Sequence, residues 1–257
     1  MRVDAAAYLG PWPFRNIEGT VRGLAATMKE LALGHALVSP MPALFYTDTE
    51  PANDELLRRL KGRPNLWAVP VVNLRMADAK RHIEQLARHP QVRAVRFAPG
   101  FHGYPVSQIN TVFDSLAGHN LAVVIQLRMQ DERSHPPTTF VPPVPIEEVI
   151  SLAESAPTAR IAAAAARQGE VENSSHAERI RALPNLWLDT THLDGVGSIR
   201  RACDAVGAEK LLFGTLWPFF YARSALLKAE EAQLPPAEMS LLMGGNAAKV
   251  FGLEGMR

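Results

Sequence analysis

Few side chains in this sequence could do chemistry, and they stand out because apolar residues surround them. Gln126 and Arg128 lie two apart in LAVVIQLR, Arg96 sits in VRAVRFA, and Asp189 and His192 share LWLDTTHLDG. Such residues suggest an anion held by guanidinium groups and a water deprotonated by a carboxylate or an imidazole. An unpaired guanidinium at the edge of a core is costly, so each arginine needs an anionic partner. Asp189 is the protein candidate for a structural Arg–Asp pair. The other reading has Arg96 or Arg128 fork onto a substrate carboxylate or phosphate, a geometry that lysine does not reproduce. Tyr8 is a candidate hydrogen-bond donor, and Trp12 and Trp217 are candidates for an apolar wall against a substrate body.

These residues must be positioned by the elements that carry them. Short apolar runs at residues 2–9, 35–40, 66–72, 92–98, 121–127, 159–165, 186–190 and 210–214 read as buried strands. Between them, residues 17–33, 54–61, 77–88, 146–155, 176–183, 198–206 and 222–232 read as amphipathic helices, with Asn53, Ser107 and Ser174 as candidate caps. The tetrapeptide Pro-Asn-Leu-Trp opens at Pro64 and again at Pro184, which is the span of four strand–helix units of about 30 residues each. Eight such units in 257 residues predict one α/β domain over residues 1–257, a (β/α)8 TIM barrel, with a doubly wound open sheet as the lesser alternative. The weakest strand is the sixth. Ala162 to Ala166 is an alanine run whose local propensity favours helix, and as a strand its small side chains would leave room in the barrel mouth.

A barrel gathers its chemistry at the C-terminal ends of its strands. That sets aside His35, His82, His89 and His119 as solvated or structural and leaves His102, His135, His176 and His192 within reach of a site. On the fifth strand the two-residue period puts Gln126 and Arg128 on one inward face. Aromatic residues follow the first strand (Tyr8, Trp12, Phe14) and the last (Trp217, Phe219, Phe220, Tyr221), so they meet at the seam where the barrel closes. The connection after the fifth strand carries Asp131, Glu132, Arg133 and His135, then Pro136, Pro137, Pro142, Pro143 and Pro145, and reads as stiff and extended.

Composition narrows the partners. With 27 Lys+Arg against 26 Asp+Glu and a formal net charge of +1, the chain has no field for nucleic acid or an anionic membrane. The expected partner is a small, anionic substrate, and the aromatic and proline-rich loops are candidate contacts of a homo-oligomer. A single cysteine, Cys203, inside a helix, fits neither an intrachain disulfide nor a nucleophile. With no leader-like or membrane-spanning run, a cytoplasmic protein is expected. There is no glycine-rich phosphate loop, CxxC, HExxH or serine elbow.

Five segments carry a resemblance: VDAAAYLGPWPF (residues 3–14), VRAVRFAPGFHGY (92–104), LWLDTTHLDG (186–195), LLFGTLWPF (211–219) and GGNAAKVFGL (244–253). Together and in this order they resemble the amidohydrolase-related family of barrel hydrolases and decarboxylases. The resemblance implies one or two divalent metals, held by a His-x-His pair on the first strand, a His ending each of the fifth and sixth strands, and an Asp after the eighth. The matching positions here are Ala6 and Tyr8, Gln126, an alanine near Ala165, and Leu216. Alanine and leucine cannot ligate a cation, and an amide with a phenol is a poor set for zinc. The expectation is therefore no catalytic metal and no cofactor, although a substitute site from Asp189, His192, His102 or His135 is left open. Two functions fit. One is a metal-independent hydrolase for a small carboxylate-bearing or lactone/ester substrate, with Asp189 or His192 as base, Tyr8 as donor, and Arg96, Arg128, Gln126, Trp12 and Trp217 binding substrate. The other is an inactive descendant that binds a small molecule or a partner protein.

Overall fold

A computed structural model describes residues 1–130, 136 and 139–255. Asp131, Glu132, Arg133, His135 and Pro137 lie outside the described residues.

Strands and helices alternate as the sequence rhythm requires. The strands are β1 (Val3–Trp12), β2 (Ile17–Gly19), β3 (His35–Pro40), β4 (Leu66–Ala68), β5 (Ala94–Phe97), β6 (Ala122–Gln126), β7 (Ile161–Ala164), β8 (Leu186–Asp189) and β9 (Leu211–Leu212). The helices that matter below are α1 (Val21–Glu30), α2 (Glu50–Leu60), α3 (Ala79–Ala87), α4 (Pro99–His102), α5 (Phe113–Gly118), α6 (Ile146–Ser155), α7 (Gln168–Glu172), α8 (Ser174–Ala182), α9 (Ser198–Val206), α10 (Ala222–Glu231), α11 (Pro236–Ser240) and α12 (Asn246–Phe251). All neighbouring barrel strands are parallel, in two ladders, β1-β3-β4 and β5-β6-β7-β8-β9. Two seams close them into one barrel. Ala5 and Tyr8 donate their backbone N–H to Phe213 and Trp217 at 2.8 and 2.9 Å, while Ala68 N–H reaches Gln91 and Arg96 N–H reaches Pro70, both at 2.8 Å.

Alternation sorts each strand. Val95, Phe97, Val123, Ile125, Ile161, Ala163, Leu186 and Leu188 pack outward in the layer shared with the helices. Ala94, Ala122, Val124, Ala162, Ala164, Trp187 and Leu212 face inward, where Ala247, Val250, Phe251 and Leu253 of α12 and its exit join them. β1 changes phase once. Its register to β3 slips by one residue between Asp4 and Ala7, a bulge that turns Tyr8 inward and Ala7 and Leu9 outward.

Several expectations need correction. The first helix does not begin at Ile17: residues 17–19 pair antiparallel with the end of β1, and Thr20 then caps α1 by accepting from Gly23 N–H at 3.1 Å. A side chain at Gly19 would put its Cβ 2.4 Å from the Tyr8 carbonyl oxygen, so the glycine admits the hairpin. Asn53 is no cap but a buried residue of α2, donating to Val71 O at 2.7 Å and accepting from Val71 N–H at 2.9 Å. Ser107 is preceded by Pro105 at the cap position of its 3-10 turn, and the capping side chain before α8 is Asn173 rather than Ser174. The alanine run supplies a strand, as the rhythm required. Ala162 and Ala164 cluster with Trp67, Trp187 and Phe251, whose bulk takes the space. Both Pro-Asn-Leu-Trp copies do the same work: each opens a strand and turns its tryptophan, Trp67 or Trp187, into the barrel. Among the described residues, no helix is long and apolar enough to cross a membrane.

Candidate active site at the barrel mouth

Above the alanine and tryptophan layer the interior turns polar. Tyr8, Ser39, Arg96, Gln126 and Asp189 come from β1, β3, β5, β6 and β8, and all are buried. Gln126 organises them. Its Oε1 accepts from the Tyr8 hydroxyl at 2.7 Å and from Arg96 Nη1, and its Nε2 donates to Arg128 O at 2.5 Å. Arg96 also donates through Nε to Ser39 Oγ at 2.9 Å, and its guanidinium carbon lies 4.9 Å from the centre of the Tyr8 ring. Arg96 is 1% exposed and, among the described residues, makes no ion pair and no hydrogen bond from its Nη2. Burial pushes the Tyr8 phenol well above its ordinary range, so it is a neutral donor whose proton already rests on Gln126.

The expected Arg–Asp pair does not form. Arg128 lies beyond the end of β6, off the two-residue period, and turns its guanidinium sideways. Nη1 and Nη2 fork onto Glu170 of α7 at 2.8 and 2.6 Å, and Nη1 also reaches Ala165 O at 2.7 Å. Glu170 was missed, being 42 positions away with only helix-capping character to mark it. Asp189 is instead held by donors near its own strand. Its Oδ1 accepts from Ala165 N–H at 2.9 Å, Thr191 N–H at 3.1 Å and Thr191 Oγ1 at 2.6 Å. Asp4, also unremarked in the sequence, clamps β1 to the segment after β9: Oδ1 accepts from Thr215 N–H at 3.0 Å and Oδ2 from Thr215 Oγ1 at 2.5 Å. Burial pushes the Asp4 carboxyl above its ordinary value, against these hydrogen bonds.

Of the described histidines, His192 joins this group. Its Nδ1 lies 3.2 Å from Thr191 Oγ1, and its Nε2 is buried without a hydrogen-bond partner among the described residues. Burial lowers its pKa below 6.5, with Asp189 and Asp194 opposing and Arg128 and Arg167 assisting, so the ring is uncharged at neutral pH. The Phe220 ring lies 5.5 Å away. His102 is tied to Ala43 O at 3.0 Å and stacked on Tyr104, and His176 bridges Glu170 O and Glu147 on the flank.

The aromatic wall forms with a different membership. Trp12 packs edge-on against Phe14, Phe45, Phe101 and Phe219, with ring centres 5.9, 4.9, 6.5 and 4.7 Å away. Trp217 is not part of it. Its ring packs toward Gly23 of α1 and lines an outer groove with Arg15 and Thr27, while Tyr221 is 90% exposed.

The residues at the positions that match the family's ligands do not fit a divalent cation. Ala6, Ala165 and Leu216 offer no side-chain lone pair, Tyr8 and Gln126 are committed to each other, and Arg96 puts a positive charge beside them. Among the described residues no three His, Cys, Asp or Glu side chains converge as a metal set, the substitute set of Asp189, His192 and His102 included. Two of the replaced positions keep left-handed backbone: Ala165 at φ 68° and Leu216 at φ 52°. That conformation is uncommon for side chains with a Cβ and is better tolerated by asparagine or aspartate.

Comparison with known proteins agrees with the architecture. The family profile described as Amidohydrolase matches residues 3–253. Similar solved structures include a 5-carboxyvanillate decarboxylase from Sphingomonas paucimobilis (16% identity, TM-score 0.76, 98% of each chain covered). A dihydroxybenzoic acid decarboxylase from Polaromonas sp. JS666, with bound manganese and 2-nitroresorcinol, is 14% identical at TM-score 0.74, over 98% of this chain and 97% of that one. A probable 2-pyrone-4,6-dicarboxylic acid hydrolase from Acinetobacter baumannii, with citric acid bound, is 14% identical at TM-score 0.70, over 98% and 99%. At these identities the likeness is one of fold. No curated protein matches the chain.

Proposed function

From the premise that the chain belongs to the amidohydrolase family, which includes decarboxylases and hydrolases, we propose that it is a metal-independent hydrolase of small, carboxylate-bearing lactones or activated esters. The observation that carries this is the buried, uncharged His192 with an unpartnered Nε2 at the C-terminal end of the barrel. Such a nitrogen is a general base waiting for a proton. In the reaction Nε2 takes a proton from water as the water oxygen bonds to the carbonyl carbon, and the carbonyl π pair moves onto oxygen. Collapse of that oxyanion breaks the C–O bond to the leaving oxygen, which recovers the proton from His192. Arg96, a cation with no carboxylate partner among the described residues, supplies the positive charge that the oxyanion or the substrate carboxylate requires. Asp189 supports His192 rather than acting as base, since three donors already draw on its Oδ1. Arg128 is structural, Gln126 and Tyr8 hold Arg96, and Trp12 covers the mouth.

The test is a panel of carboxylated lactones and activated esters offered to wild type and His192→Gln. Loss of a general base lowers kcat by about 100-fold or more. Equal turnover in the variant overturns the assignment. Arg96→Met should weaken binding of a carboxylate by more than tenfold, about 1.4 kcal/mol. The second reading, a binding protein without chemistry, draws on the apolar Ala6 and Leu216 and the packed aromatic cap, and saturable binding without turnover across the panel would favour it.

A further inference from the structure

We infer that Thr191 is a positioning residue that fixes which nitrogen of His192 carries the proton. The inference rests on the proposed role of His192 and adds the means by which that role is kept. Asp189 Oδ1 and Thr191 Oγ1 are 2.6 Å apart, so a proton lies between them. Oδ1 also accepts two backbone N–H groups, from Ala165 and Thr191, so its lone pairs are already engaged as acceptors. The shared proton is therefore the threonine's own, donated to Asp189. A hydroxyl has one proton, and with it committed Oγ1 has only lone pairs to offer His192 Nδ1 at 3.2 Å. Nδ1 must be the protonated nitrogen. Nε2 then keeps its lone pair, buried and without a hydrogen-bond partner among the described residues.

Packing holds the threonine in this pose. Its Cγ2 lies 2.8 Å from where a Cβ on Gly214 would stand, so the methyl fills the space that this glycine leaves and the hydroxyl turns toward Asp189. The charged groups around the ring are Asp189, Asp194, Arg128 and Arg167. In effect an Asp–Thr–His chain passes the carboxylate's influence to the imidazole through one hydroxyl. The sequence DTTH holds the whole device in four consecutive residues, Asp189 to His192.

Nitrogen-15 NMR of the imidazole ring reads the tautomer directly, with or without a substrate. In wild type at neutral pH, His192 should show a protonated Nδ1 and an unprotonated Nε2. Thr191→Val, nearly isosteric but without the hydroxyl, should lose that preference and lower kcat by tenfold or more with little change in KM, and Thr191→Ser should restore both. A wild-type spectrum with the proton on Nε2, or a Thr191→Val spectrum unchanged from wild type, overturns the inference. If Thr191→Val does not fold, the wild-type spectrum still decides. The expected spectrum in a protein that hydrolyses nothing would count against the proposed function while supporting the role of Thr191.

Discussion

A guanidinium in the middle of a barrel needs compensation, and Arg96 draws it from neutral groups: a serine hydroxyl, an amide oxygen and the face of a phenol. Two-residue alternation made Arg96 and Gln126 legible in the sequence as inward residues. The same rule would have found Ser39, inward two positions after Leu37 on β3. It failed for Arg128, because nothing local marks the end of β6 at Gln126, and the guanidinium's partner lies on a helix far along the chain. Tyr8→Phe removes one of two donors on Gln126 Oε1 and should cost about 1 kcal/mol in urea denaturation, while leaving Arg96 anchored. A cost near zero would mean that the hydroxyl does not hold the network. The buried histidines set the pH response. Burial holds His82, His102 and His192 below 6.5, whereas in the unfolded chain each titrates near that value. As pH falls below 6.5 the unfolded chain binds more protons, so stability that is full above this value declines. The urea midpoint should be lower at pH 5.5 than at pH 7.5. An equal or higher midpoint would contradict neutral burial.

At the scale of elements, β1 does most to position the site. Its bulge turns Tyr8 inward, Asp4 ties it to the segment after β9, and its far end folds back on β2. Asp4→Ala removes the acceptor of three backbone or hydroxyl donors and should destabilise by about 3 kcal/mol or more, read as a lower urea midpoint with unchanged slope. Gly19→Ala forces a Cβ against the Tyr8 carbonyl and should cost on the order of 1–3 kcal/mol. An unaffected midpoint in either variant would show that the clamp or the hairpin matters little. The hairpin was not legible because Ile17 to Gly19 continue the apolar pattern of α1, and only the cap at Thr20 separates them. The alanine strand β7 had the opposite history: local propensity opposed it, and its place between β6 and β8 decided it.

Among the described residues, the two ends of the barrel are packed differently. Residues of α12 and its exit pack among Trp67 and Trp187 at the closed end, and Trp12 with its phenylalanines caps the other. The repeated Pro-Asn-Leu-Trp and the strand–helix rhythm made this architecture legible, because both follow from the size of a parallel crossover unit. The identity of the polar centre was legible only as replacements at positions the family uses for ligands. The hydrogen bonds that join Tyr8, Gln126, Arg96 and Ser39 come from four strands, and no linear pattern links them. The proposed hydrolysis needs no divalent ion, since Ala6, Ala165 and Leu216 carry no ligand atom and Tyr8 and Gln126 bond each other. A cation bound at 1,000 times its Kd stabilises a folded chain by about 4 kcal/mol, which a thermal melt cannot miss. The decisive measurement is metal content together with the melting temperature after equilibration with zinc or manganese and dialysis. Far less than one equivalent of metal and an unchanged melting temperature are expected; one or two retained equivalents with a raised melting temperature would contradict metal-free hydrolysis.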